Sequence, residues 1–128
     1  MADLWFLIFG GITQAANKRR AKYAIELNKF QEELTASLKK VPEENRKEPS
    51  SHVVLSALNE AKYCVEEEEL RKLFVSLITS ATDSTKSVHP SFASIIRQMS
   101  ANDAMLLYEF KKYHKYALCN IKQVYPEG

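Results

Sequence analysis

Scarcity narrows this chain first. Glycine occurs three times in 128 residues, at Gly10, Gly11 and the last position. No Asn-Gly or Asp-Gly pair offers a tight hairpin, which argues against an extended sheet. Neither a dinucleotide glycine pattern nor a Walker loop is present, so the chain has none of the glycine-rich turns that cradle phosphates. The two cysteines, Cys64 and Cys119, lie far apart and form no CxxC pair. That pattern suits a reduced cytosolic protein and supplies no disulfide scaffold. His52, His89 and His114 are the only imidazoles, and none has a partner at metal-ligand spacing. We therefore expect no metal, no cofactor and no small-molecule substrate. Charge of one sign is missing too: 18 Lys and Arg against 16 Asp and Glu leave a formal net charge of +2. No overall field draws the chain to nucleic acid, and any electrostatic partner must be read locally.

Long hydrophobic runs are also short in supply. The most apolar stretch, "LWFLIFGGI" from Leu4 to Ile12, is about half of the roughly 20 residues needed to span a bilayer. Its positive charges follow it, whereas a secretory signal carries them in front. Two readings remain. In one, the run is a helix end packed on protein. In the other it is a contact surface for a partner or membrane: Leu4, Trp5, Phe6, Ile8 and Phe9 enter the apolar layer, and Lys18, Arg19, Arg20 and Lys22 meet anionic headgroups. The expected location is the cytoplasm, including the inner face of the membrane under the second reading.

What the chain does have is helical periodicity. A 45% hydrophobic and 10% aromatic composition can fill one core, so we expect one domain. Tyr23, Leu27, Phe30, Leu34 and Leu38 recur at three- and four-residue spacing, marking a long amphipathic helix over 1–40 that stops before "VPEENRKEPSS". A second helix should start at Ser50 or Ser51, with the hydroxyl as its cap, and bury Val54, Ala57, Leu58, Ala61 and Val65. Glu66 to Glu69 then read as acidic first-turn residues of a third helix, complementing its dipole. Leu70, Leu73, Phe74, Leu77, Ile78 and Ala81 form its core stripe. After the polar break "TDSTKS", Pro90 suits a first helical position, and Phe92, Ile95, Ile96 and Met99 should form a buried face. Ser100 and Asp103 make a short capping box before a fifth helix reaching Lys115. Residues 50–116 would then be a compact core and 117–128 a terminal strand or extended tail. The expected architecture is an all-α bundle of about five helices.

Few residues suggest chemistry. Cys64 or Ser91 with His89 could be nominated as a nucleophile and base, yet Ser91 falls inside an expected first turn and no glycine-rich elbow accompanies it. His89 reads better as an N-cap or as a hydrogen-bonding residue tying the break to the previous helix. We expect no enzymatic activity. Lys111, Lys112 and Lys115 interleave with Tyr113 and Tyr116, an arrangement that can stack on bases and meet phosphates. Nucleic-acid binding there is the alternative to a module that works through protein contacts.

Three ordered blocks carry a family resemblance: "VPEENRKEP", "EEEELRKLFVSLITSATD" and "VHPSFASIIRQMSANDA". In order and spacing the chain resembles the abortive-infection alpha family of bacterial proteins over roughly Phe30 to Leu107. The matching positions include Leu70, Arg71, Phe74, His89, Pro90, Phe92 and Ile96, which the resemblance implies are structural. Ser50 and Ala101 stand where the pattern usually has proline. Family members commonly continue beyond this length, so the chain is expected to be a short member or a piece of one. The resemblance implies a link to antiphage defence through a protein partner or a homo-oligomer, and identifies no catalytic set.

Overall fold

The computed structural model describes residues 2–9 and 18–113, and side chains within 4–9 and 21–113. Six α-helices occupy them: α1 (Ala2–Phe9), α2 (Lys18–Lys39), α3 (Ser51–Ala61), α4 (Glu68–Ala81), α5 (Phe92–Arg97) and α6 (Ala101–Lys112). A short 3-10 turn, Glu43–Asn45, follows α2. Among the described residues the only β pairing is an isolated bridge between Arg46 and Asp83, so the fold is all-α.

The apolar spacing explains the packing. In α4, Leu70, Phe74, Leu77, Ile78 and Ala81 are buried and Leu73 is half-buried, as a three-and-four-residue stripe requires. Arg71 and Val75 are buried as well, and they widen the stripe far enough for α4 to become the hub. It packs against α2, α3, α5 and α6. On α2, Leu27, Phe30 and Leu34 are buried, with Tyr23 and Leu38 at the edges of the same face. Each such aliphatic or aromatic side chain contributes roughly 1.5–3 kcal/mol by leaving water. Two backbone hydrogen bonds close the far end of the α2–α4 pair. The Lys47 N–H donates to the Thr82 carbonyl at 2.8 Å, and the Ser84 N–H donates to the Asn45 carbonyl at 2.7 Å.

Several boundaries differ from the sequence reading. Ser50 stands at the N-cap of α3, but its hydroxyl makes no cap bond. Helix α3 stops at Ala61, and Val65 is buried by the turns that follow it. The acidic first turn of α4 holds Glu68 and Glu69 alone, with Glu67 at the cap position. Pro90 does not open α5: the Phe92 N–H donates to the His89 carbonyl at 3.1 Å, so Pro90 sits inside a turn and the helix begins two residues later. Being six residues long, α5 buries only Ala93 and Ile96; Phe92 and Ile95, expected in the core, are 43% and 52% exposed. The capping box of α6 is present, with Ser100 Oγ accepting from the Asp103 N–H at 3.1 Å and Asp103 Oδ2 accepting from the Ser100 N–H at 2.9 Å. These bonds hold the Asp103 carboxyl below its ordinary range. The last helix, expected to reach Lys115, ends at Lys112, because the backbone turns extended at Tyr113. The junction between α1 and α2 and the tail at 117–128 lie outside the described residues.

Candidate functional site

Opposite sides of α4 carry different chemistry. Toward α2 stands Arg71, buried, with its guanidinium making four hydrogen bonds. Nε and one terminal nitrogen grip both oxygens of Glu33 at 3.2 and 3.0 Å, while the other terminal nitrogen reaches Glu26 at 2.7 Å and the Val65 carbonyl at 3.0 Å. Burial alone would lower the basicity of Arg71; the two carboxylates outweigh it and raise it. The Glu26 carboxyl is held below its usual range by a hydrogen bond from Lys29, and then by Arg71. Sequence reasoning marked Arg71 but missed its partners. Glu26 and Glu33 lie seven residues apart, two helical turns, beside the core stripe of α2, and that spacing was the available signal. Nearby, the Ser37 and Thr79 hydroxyls meet at 2.8 Å. This arrangement clamps two helices and leaves Arg71 little capacity for a ligand.

The other side of α4 is open. Helices α5 and α6 both rest on α4 and flank a groove of about 520 Å³. Leu73 and Leu77 contribute its floor from α4; Phe92, Ile95 and Ile96 line it from α5, and Leu107 from α6. Its polar groups are Ser76 and Ser80 on α4, and Lys86 and Ser87 on the loop after it. Beyond the groove, α6 exposes Met105 at 53% and Leu106 at 54%. Only Ala104 of α6 is buried, so the helix adheres by its smallest apolar side chain and presents its largest ones outward. A second cleft of about 450 Å³ lies among Glu33, Lys40, Lys72 and Tyr108. The Tyr108 hydroxyl is buried without a hydrogen-bond partner, and burial raises its pKa.

The other nominated residues fall as follows. In α1, Trp5 stacks on Phe30 at 5.3 Å between ring centroids, and Phe9 is buried beneath Trp5 at 4.6 Å. Leu4 and Ile8 also turn toward the core. Of the apolar run, Phe6 and Leu7 face outward, 72% and 77% exposed. Lys22 is exposed; the side chains of Lys18, Arg19 and Arg20 lie outside the described set. His89 is exposed, and its Nδ1 stands 2.7 Å from Ser91 Oγ while accepting the Ser91 N–H at 3.2 Å. The ring therefore caps its own turn instead of tying the break to α4, and among the described residues no carboxylate orients its other nitrogen. Lys111, Lys112 and Tyr113 are exposed at the end of α6, with the Lys112 ammonium 5.3 Å from the Tyr113 ring centre. Lys115 and Tyr116 lie outside the described residues. Among the described residues no three His, Cys, Asp or Glu side chains gather closely enough to hold a metal ion, and no helix is long and apolar enough to cross a membrane.

Comparison with known families decides the affiliation, because the profile of abortive infection alpha matches residues 22–128. The chain belongs to the abortive infection alpha family. No curated protein and no solved structure matches it. The matched span of this abortive infection alpha protein takes in the Arg71 clamp, the groove and all of α6, while α1 precedes it.

Proposed function

We propose that this abortive infection alpha protein is a non-enzymatic module of antiphage defence that works by contact with a protein, either a partner or a second copy. The observation that carries this reading is the outward face of α6. Met105 and Leu106 remain more than half exposed although the chain has enough apolar residues for a full core. Clustered exposed apolar side chains mark contact surfaces more often than isolated ones do. The residues lie inside the span that matches the family, which favours α6 over the N-terminal run as the main contact.

The test is plating efficiency of phage on cells expressing the wild type, Leu106→Lys, or Leu106→Lys with Met105→Lys, alongside light scattering of the purified proteins. Equal protection by all three at equal protein levels would overturn the reading. A second reading, attachment to a membrane surface, draws on Phe6 and Leu7, whose exposure next to the anchored Trp5 leaves two large side chains available to lipid. Flotation with anionic liposomes, compared with Phe6→Ser plus Leu7→Ser, tests it; unchanged flotation would remove it.

A further inference from the structure

The groove beside α4 differs from the face of α6 in having two unlike ends. Leu73 and Ser80 are two turns apart on α4, roughly 10 Å along its axis. Toward the Leu73 end, Leu73, Leu77 and Leu107 supply aliphatic lining, with Ser76 as the one polar side chain beside them. At the Ser80 end the chain has just left the helix, and the loop brings Lys86 and Ser87 to the same cavity. Phe92 and Ile95 wall the space between, and both are partly wet. A protein core is a poor reason for this arrangement, since a core would not place an ammonium and two hydroxyls at one end of an aliphatic channel.

We propose that the groove is a binding site for a single-chain anionic amphiphile, its hydrocarbon tail along Leu73, Leu77 and Ile95 and its charged head at Lys86. The volume, about 520 Å³, lies within the 300–1,000 Å³ typical of small-molecule sites, and a mainly apolar lining with a few polar groups and one cation is typical of them too. Lys86 is exposed and, among the described residues, is in no ion pair. Asp83 is the carboxylate that faces it. That carboxylate accepts the Thr85 N–H at 2.9 Å and the Thr85 hydroxyl at 2.6 Å on one oxygen and also attracts Lys86, but an exposed ammonium has three donors and can meet Asp83 and a head group together. Ser80 and Ser87 add hydroxyl donors for the same oxygens. Carboxylate and phosphate heads share this chemistry. The proposal goes beyond a protein-contact role, which rests on Met105 and Leu106 on α6.

Isothermal titration of the full chain with monomeric dodecanoate, dodecyl phosphate and dodecanol, each below the concentration at which it aggregates, tests the assignment. Saturable binding of at least one anionic probe, tighter than dodecanol, is the expected result, and the better of the two identifies the head group. Lys86→Gln should weaken the anion roughly fivefold at low salt and leave dodecanol unchanged. Ile95→Glu should weaken every probe on the order of tenfold; because Ile95 is half exposed, an unchanged melting temperature checks that the variant is folded. Absence of saturable binding would overturn the proposal, as would binding indifferent to both substitutions. Binding only to anionic vesicles, or a dimer that Ile95→Glu dissociates, would assign the groove to a membrane or a second copy and overturn it equally.

Discussion

The side of α4 that meets α2 and the side that meets α5 and α6 grow from one stripe of sequence yet end in opposite states. Toward α2, aromatic and aliphatic side chains close over a guanidinium with its hydrogen bonds made. Toward α5 and α6, leucines and isoleucines stay partly in water and line a groove. The difference comes from helix length and residue size. Twenty-two residues of α2 can repeat a core stripe over several turns, whereas six residues of α5 present Ala93 and Ile96 and then stop. Apolar composition is thus the same in kind on both sides, and the partner helix decides whether it becomes core or surface.

Breaking the closed side should cost most. Phe30→Ala removes a fully buried ring that Trp5 stacks on, and large-to-small changes of this kind cost about 3–5 kcal/mol. Chemical denaturation should show a midpoint shift that large, and α1 should lose its protection from hydrogen exchange.

Arg71→Ala comes next, at about 2 kcal/mol. Loss of a wholly buried pair would cost more, but Glu33 is about a third exposed, 34% by side chain, and water can take over part of its charge. Arg71→Met, which keeps the apolar stem, should cost less than Arg71→Ala. The acid limb sharpens this. Glu26 has its folded pKa below its ordinary 4.5, so its stabilisation is complete above that value and is lost as pH falls through the folded value. In Arg71→Met the loss of stability on acidification should be shallower, though still present because Lys29 also hydrogen-bonds Glu26. Parallel acid limbs in wild type and variant would show that Arg71 does not set the Glu26 pKa.

On the open side the effects should shrink. Ser100→Ala removes the hydroxyl of the α6 capping box and should cost about 1 kcal/mol, read as a lower melting temperature. Leu106→Lys should fall within about 0.5 kcal/mol, since an exposed side chain gives up little on substitution. A larger loss for Leu106→Lys than for Ser100→Ala would mean that the outer face of α6 is packed in the isolated protein.

The closed side was the more legible from sequence. Leu27, Phe30 and Leu34 on α2 and Leu70, Phe74 and Ile78 on α4 sit at helical spacing, and all are buried. The Ser100 and Asp103 pair could be read because a capping box is local in sequence. The clamp was harder to read, because the seven-residue spacing of Glu26 and Glu33 beside the core stripe also suits carboxylates on a solvated face, and only Arg71, from another helix, separates the two cases. Phe92 and Ile95 were misread for the converse reason. Apolar spacing says which residues share a face, but not whether a neighbour covers it. The N-terminal run shows both cases within eight residues: Trp5 and Phe9 find Phe30, while Phe6 and Leu7 find nothing in the described chain.

The two backbone hydrogen bonds between 45–47 and 82–84 also shape how the molecule would carry tension. They join the chain to itself before α3 and after α4, making both helices part of a closed ring. A pull applied at the start of α2 and the end of α6 can therefore cross from Asn45 to Ser84 without passing along α3 or α4. The hub helix would be mechanically sheltered, while α6, which hangs on the path itself, would be the first segment to lift away under such a pull.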